Sequence, residues 1–251
     1  MKNLLSRQEA MVLLDEFYHL YKHRPIHDNE GGMKSPHMFF LWCLLKKLQP
    51  EAIIESGVYK GQGTWLIEQA CPGAKLLCID PGPWKRVYTS PKAVYTEHDF
   101  FALDLSNLQG RDVLVFFDDH QDALQRIRKC NALGFKKIVI EDNYPVDQGD
   151  CYSPKKALSQ QDYCIKIGWD KEPTCMVKKN EADHAFLTKH LQYYQEAMPI
   201  FDDATTMWGT PWNSAMYNTP EPLLTENFRD KYPEFYKERR SYCWLCYLQM
   251  Q

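Results

Sequence analysis

The stretch VLVFFDDHQDALQRIRKCNALGFKKIVIEDNYP, residues 113–145, decides the predicted fold. It opens with five apolar residues, 113–117, which are typical of a strand buried on both faces. A helical segment follows and ends at Gly134, and a second apolar strand covers 137–140. Strand, helix and strand within about thirty residues form a right-handed crossover, so the two strands are predicted to be parallel neighbours.

Polar residues follow each of these strands at the point where it ends. They are Asp118, Asp119 and His120 after the first strand, and Glu141, Asp142 and Asn143 after the second. Carboxylate and amide oxygens that converge at this edge suit a hard cation, and open α/β sheets bind ligands there. Each motif alone is also common as a helix cap or a turn. Their occurrence on successive strands favours a functional site.

Composition limits the class of protein. The chain has 251 residues, 44% hydrophobic and 25% charged, which fits one α/β domain. We expect an N-terminal helical cap over 1–50, a nucleoside- and metal-binding core over 51–180, and a C-terminal helix, cap and last strand over 181–251. A net charge of −3 without a basic run predicts no nucleic-acid partner. The absence of a long apolar stretch or signal-like N-terminus predicts a cytoplasmic protein without a membrane partner.

The nine cysteines are irregularly spaced, and their odd number predicts reduced thiols. Cys243 and Cys246 form the single CxxC motif, inside a predicted last strand at 242–248. Residues three apart on a strand point to opposite faces, so this pair is not expected to bind zinc.

The segment 52–82 carries a second pattern of interest, a glycine-rich turn between two strands. A strand that ends at Glu55 leads into a turn shaped by Gly57 and Gly61, and a further strand, 75–79, ends at Asp80. Glycines allow a ligand to approach the backbone, and an acidic residue placed like Asp80 accepts hydrogen bonds from ribose hydroxyls. The spacing matches neither a Walker A loop nor GxGxxG.

A third strand, 93–96, ends close to Asp99 and Phe100. In such sheets this position lies over the base of a bound nucleoside, where Asp99 can bond an amino group and Phe100 can stack on the ring. A loop carboxylate and a core phenylalanine explain the same two residues.

The remaining segments are assigned more coarsely. A capping box of Ser6 and Glu9 begins the first helix, and Ser35 is predicted to cap the second. Gly31-Gly32 is either a close-approach site or a flexible connector. Further predictions are strands within 164–169 and 173–179, a helix over 181–197, and an aromatic cap over 201–240. The cap includes Trp208, Trp212 and Tyr217, which serve either as platforms for sugars or as packing.

Together these residues resemble the class I S-adenosylmethionine-dependent methyltransferases. The resemblance implies a Rossmann-like sheet of seven mostly parallel strands with an antiparallel last strand, N-terminal helices and a C-terminal cap. It implies that Glu55, Gly57 and Gly61 surround the methionine part of the cofactor and that Asp80 binds its ribose. Asp99 and Phe100 then fall at the adenine.

DDHQD followed by EDN is similar to the metal motif of the catechol and caffeoyl-CoA O-methyltransferases and the macrocin-type sugar O-methyltransferases. The similarity implies that Asp118, Asp142 and Asn143 hold a divalent cation, Mg²⁺ or Mn²⁺. The sugar enzymes tend to carry an acidic base where this chain has His120, and the catechol enzymes a lysine where it has Gln121. Since the pKa of histidine is near neutral, we assign His120 as the general base acting with Asp118, with His98 in reserve.

The implied activity is metal-dependent methyl transfer from S-adenosylmethionine to a hydroxyl of a sugar or glycan. A small catechol-like or natural-product hydroxyl is the alternative acceptor. A dinucleotide enzyme and a non-catalytic glycan- or protein-binding module on the same fold stay open as rival functions. The oligomeric state is open too, with a homodimer as one option.

Overall fold

The chain folds around a central β-sheet in a computed structural model that describes residues 4–166, 174–212 and 220–251. Residues 213–219 of the predicted cap, which include Tyr217, lie outside the described residues, as do 167–169 and 173 of the two predicted strands. The strands are β1 (Ala52–Ser56), β2 (Lys75–Ile79), β3 (Ala93–Thr96), β4 (Val113–Phe117), β5 (Lys137–Ile140), β6 (Tyr163–Lys166), β7 (Thr174–Val177), β8 (Leu191–Glu196) and β9 (Cys246–Met250).

Seven of these strands form one sheet in the order β3-β2-β1-β4-β5-β9-β8. Its strands run parallel except for β9, which is antiparallel to both of its neighbours. This order and polarity confirm the predicted Rossmann-like fold with an antiparallel last strand. β6 and β7 pair separately as an antiparallel hairpin.

The helices pack on the two faces of the sheet. They are α1 (Arg7–Tyr21), α2 (Ser35–Leu48), α3 (Gln62–Ala70), α4 (Ala123–Leu133), α5 (Pro154–Ser159), α6 (Glu181–His190) and α7 (Pro233–Lys237). α1 begins at the predicted capping box of Ser6 and Glu9. Ser35, in contrast, does not cap α2, because it is the first residue of the helix and Lys34 occupies the N-cap position. The Ser35 backbone N–H donates instead to the Glu238 carboxylate at 2.8 Å.

Two apolar clusters cover the two faces of the sheet. Leu114 and Phe116 of β4 belong to the cluster formed with α1, α2 and α3, whereas Val113, Val115 and Phe117 belong to the cluster formed with α4. Side chains alternate between the faces of a strand, so burial on both sides requires an unbroken apolar run. None of the helices described combines the length and apolar character that crossing a bilayer requires.

The C-terminal part departs from the prediction in two places. The predicted helix over 181–197 ends at His190, because 191–196 pair with β9 as a strand. Pairing with a neighbouring strand outweighs the local helical pattern there. The last strand begins at Cys246 rather than Tyr242, because Trp244 has a φ of 31° and interrupts the extended backbone.

Candidate functional site

Asp118 and Asp142 meet at the carboxyl ends of β4 and β5. The two strands pair in parallel with Phe117 opposite Ile140, so the residues that follow them emerge side by side. A carboxylate oxygen from each aspartate and a ring nitrogen of His120 all lie within 4.8 Å of one another. The structure thus brings together three of the side chains that the sequence places at one site.

Negative charge accumulates at this point. Burial, and then the charge of Asp142, raises the pKa of Asp118 well above its usual range. Burial also raises the pKa of Glu141, with Asp118 and Asp142 adding to the effect. In the part of the chain that the structure describes, Glu141 and Asp142 form ion pairs only with histidines, and Asp118 forms none. Buried carboxylates without a Lys or Arg partner favour a bound cation.

His120 contacts the carboxylates directly. Its backbone N–H donates to Asp142 Oδ2 at 3.2 Å, and its Nδ1 lies 3.3 Å from Asp150 Oδ1 and 3.5 Å from Asp142 Oδ1. The charge of Asp142, followed by the hydrogen bond with Asp150, raises the pKa of His120 to about 10. Carboxylates raise the pKa of a neighbouring histidine because they stabilise its charged form, whereas a cation beside the ring would lower it. The ring is half-exposed.

Asn143 is engaged elsewhere. Its Oδ1 accepts from the backbone N–H of Lys155 at 2.9 Å, and its Nδ2 donates to the Tyr194 hydroxyl at 2.7 Å. Of the three predicted metal ligands, the structure therefore brings Asp118 and Asp142 together, while both ends of the Asn143 amide have other partners.

The glycine turn lies directly beside the acidic residues. Gly57 has a φ of 97°, and a Cβ atom there would meet the Asp118 carbonyl oxygen at 1.9 Å. Gly61 has a φ of 92°, and its Cβ would meet the Tyr88 carbonyl oxygen at 2.3 Å. Glycine is therefore required at both positions for conformation and for space. The turn after β1 and the acidic residues after β4 are parts of one edge.

Asp80 fixes the backbone of this turn through hydrogen bonds. Its Oδ2 accepts from the backbone N–H groups of Val58 and Tyr59, and its Oδ1 accepts from that of Gly82 at 2.6 Å. A carboxylate offers about four acceptor positions, so a further donor can still bind. Asp80 is consequently both a turn-forming residue and an available acceptor.

Glu55 and Gln62 have different surroundings. Glu55 lies buried under the turn, where it bonds the Thr64 hydroxyl at 2.5 Å, and burial raises its pKa to about 7. Gln62 opens α3 and is 2% exposed, and neither end of its amide has a hydrogen-bond partner within the described chain. A buried polar group without a partner indicates a missing polar ligand. Gln62 is not among the residues predicted from the sequence.

The predicted adenine contacts need correction. Phe100 is fully buried and packs edge-on against Phe117 in the core, so no face is available for stacking on a base. Asp99 binds Arg126 through both carboxylate oxygens, at 2.9 and 2.6 Å, which lowers the pKa of Asp99 to about 2. The alternative assignment, a loop carboxylate and a core phenylalanine, describes both residues.

His98 does not reach the acidic residues either. It is exposed and follows β3, which β2 and β1 separate from β4. Three strand spacings amount to roughly 14 Å. The reserve base therefore lies at a different part of the edge.

Comparison with known proteins identifies no matching family model and no matching curated protein. Among solved structures, CmcI with SAH is 18% identical over 44% of this chain and 62% of that chain, with a TM-score of 0.37. SAH-bound methyltransferase PaMTH1 from Podospora anserina is 13% identical over 57% and 73%, with a TM-score of 0.41. The O-methyltransferase TomG from Streptomyces achromogenes with SAM is 16% identical over 55% and 67%, with a TM-score of 0.37. The Rossmann-like assignment rests on the strand order and polarity of this chain itself.

Proposed function

We propose that this protein is a divalent-metal-dependent O-methyltransferase that transfers a methyl group from S-adenosylmethionine to a hydroxyl of a sugar or glycan. One observation carries the proposal: the backbone of Gly57 packs against that of Asp118. This contact joins a glycine turn suited to a nucleoside cofactor to a pair of carboxylates suited to a cation. Methyl transfer requires the methyl donor and the metal-bound acceptor to lie next to each other, and the glycine turn and the carboxylates are adjacent as this requires.

The residues around the turn fit the cofactor. Gly57 and Gly61 leave the backbone accessible, and Asp80 retains an acceptor position for a ribose hydroxyl. The unpartnered amide of Gln62 supplies a donor and an acceptor at the start of α3. We therefore add Gln62 to the cofactor-binding residues.

The carboxylates of Asp118 and Asp142 fit a hard cation such as Mg²⁺ or Mn²⁺. They are close together, and within the described residues no Lys or Arg neutralises them. A bound dication lowers the pKa of a coordinated hydroxyl and fixes its position. Asn143 joins these ligands only if its amide leaves Tyr194 and Lys155.

With a cation offsetting the charge of Asp118 and Asp142, the His120 ring would be neutral and would take the proton from the acceptor hydroxyl. Its ring is next to both aspartates and half-exposed, so an incoming acceptor can reach it. Asp150 contacts Nδ1 and orients the ring, and the Tyr144 hydroxyl donates to Asp142 at 2.9 Å and fixes that carboxylate. Such positioning of base and acceptor is worth several orders of magnitude in rate.

Aromatic residues near the carboxylates support a sugar acceptor. Trp208 is partly exposed and lies 5.0 Å from Tyr144 and 6.1 Å from Trp244 between ring centroids. Tyr144 in turn bonds Asp142, so the Trp208 ring is connected to the carboxylates through one side chain. Tryptophan rings present a flat apolar face next to a polar edge, which suits a sugar ring.

Methyl transfer from labelled S-adenosylmethionine to a panel of sugars, catechols and natural-product phenols tests the proposal. We expect EDTA to abolish turnover and Mg²⁺ or Mn²⁺ to restore it, because Asp118 and Asp142 alone do not hold the acceptor. Asp142→Ala should stay inactive at ordinary cation concentrations, while Asp230→Ala, at a carboxylate that is 94% exposed, should retain full activity.

Three outcomes contradict parts of the proposal. Full turnover in EDTA excludes the metal. Transfer to catechols but to no sugar changes the acceptor class. Failure to bind S-adenosylhomocysteine in calorimetry favours a non-catalytic binding module.

A further inference from the structure

A second group of metal-ligating side chains lies buried next to the acidic residues. It consists of His37 in the first turn of α2, Glu141 after β5, and Cys243 shortly before β9. One ligand atom from each lies within 4.8 Å of the other two. The three residues are 5%, 7% and 1% exposed, so this group is part of the interior.

The two ring nitrogens of His37 are incompletely satisfied. Its Nδ1 lies 3.2 Å from Glu141 Oε1, yet neither ring nitrogen makes a hydrogen bond of normal geometry within the described residues. Leaving a buried nitrogen unbonded is unfavourable, because the atom has given up its hydrogen bonds to water. A cation that accepts the lone pair of a ring nitrogen removes this cost.

Glu141 lacks compensating charge. Its Oε2 is 4.0 Å from Cys243 Sγ, and its single ion-pair partner in the described chain is His37. Another positive charge beside Glu141 is therefore favourable for the whole group.

We propose that His37, Glu141 and Cys243 form a second cation site, separate from Asp118 and Asp142 and suited to Zn²⁺ rather than Mg²⁺. Imidazole, thiolate and carboxylate are the donors that zinc takes, whereas magnesium requires oxygen donors. Zinc ligands at about 2.0–2.3 Å from the ion lie about 3.5 Å from one another in tetrahedral geometry. Because the ligand atoms lie within 4.8 Å of one another, a contraction of at most about 1.3 Å brings them to that spacing.

The site uses Cys243 without Cys246. Cys243 belongs to the apolar cluster on one face of the sheet and Cys246 to the cluster on the other. The two thiols of the CxxC motif therefore do not share an ion, as predicted from the sequence. The other two zinc ligands are His37 and Glu141, which are far from the CxxC motif in the chain. A bound ion would therefore connect α2 and the segment before β9 to the end of β5.

Cobalt substitution tests the site in the full-length protein. Co²⁺ bound to a thiolate gives a near-ultraviolet charge-transfer band, and four-coordinate Co²⁺ gives strong visible bands. We expect the stripped wild-type protein to show both at one equivalent, and Zn²⁺ to abolish them. Cys243→Ser should lose the charge-transfer band, and His37→Gln should lose the visible bands.

Two matched variants establish whether the bands arise at this group of residues. Cys130→Ser alters a buried thiol outside the group and should keep both bands. Asp118→Asn should also keep both cobalt bands, while Mg²⁺ should no longer bind to this variant at the site of Asp118 and Asp142. A failure of the proposed methyl transfer is therefore distinguishable from a failure of the zinc site. Absence of a thiolate band in wild type, a measurement that needs no variant, overturns the proposal. So does a band that persists in folded Cys243→Ser protein.

Discussion

The two halves of the sheet edge differ in how closely their carboxylates face one another. In the half formed by β1 and β2, Asp80 accepts three backbone N–H groups and Glu55 bonds a hydroxyl. In the half formed by β4 and β5, Asp142 also accepts a backbone N–H and a hydroxyl. Its carboxylate, however, lies within 4.8 Å of that of Asp118, and neither has a Lys or Arg partner in the described chain. The difference favours the proposed cation in the second half, where carboxylates lie close together without a basic partner.

The largest effect that separates the halves should come from His120. We expect His120→Ala to reduce single-turnover methyl transfer by ~10²- to 10⁴-fold, the usual contribution of a positioned general base. Affinity for S-adenosylhomocysteine should barely change, because His120 belongs to the half formed by β4 and β5.

His98→Ala is the matched control for this prediction. His98 is exposed and lies beyond two intervening strands, so we expect a wild-type rate. If His98→Ala is slow while folded His120→Ala is not, the base has been assigned to the wrong histidine. Melting temperatures of both variants establish that the rates are compared between folded proteins.

A smaller effect, on cofactor affinity, is expected in the half formed by β1 and β2. Asp80→Ala removes both the ribose acceptor and the acceptor of three backbone N–H groups. We predict at least a tenfold loss of affinity for S-adenosylhomocysteine by calorimetry, about 1.4 kcal/mol or more. Asp99→Ala should leave this affinity unchanged, because Asp99 is bound to Arg126. Equal losses in both variants would restore the adenine contact that the structure removes.

The sequence predicted the sheet well where local pattern and tertiary packing agree. β4 and β5 are apolar runs between turn residues, and burial on both faces requires such runs. β8 was missed because its pairing with β9 is a long-range contact that leaves no local periodicity. The start of β9 was missed because nothing in the local pattern marks the left-handed conformation of Trp244.

The same distinction between local pattern and long-range packing explains which site residues could be predicted. Asp118 and Asp142 follow predictable neighbouring strands, so their meeting could be inferred. Asn143 could not be placed from the pattern, because adjacent side chains of an extended chain point in opposite directions. His37 and Cys243 approach Glu141 through the packing of α2 and the segment before β9, and a local pattern does not carry that information.

The smallest predicted effect is on stability, and it tests whether the charges of the second half repel one another. Burial and Asp142 raise the pKa of Asp118, so the folded state keeps this proton at pH values where the unfolded chain has released it. In EDTA, the wild-type protein should therefore lose stability as the pH rises above about 4, the ordinary pKa of an aspartate. Asp118→Asn removes the charge and should raise the melting temperature at pH 8 by about 2–4 °C, roughly 1 kcal/mol, with a smaller gain at pH 5.

Mg²⁺ should stabilise the wild type but not the Asp118→Asn variant. Asp230→Asn, at an exposed carboxylate, should change neither the melting temperature in EDTA nor the stabilisation by Mg²⁺. A lower melting temperature for Asp118→Asn in EDTA at pH 8 would mean that the ionised carboxylate is already satisfied without a cation, and the contrast between the two halves would disappear.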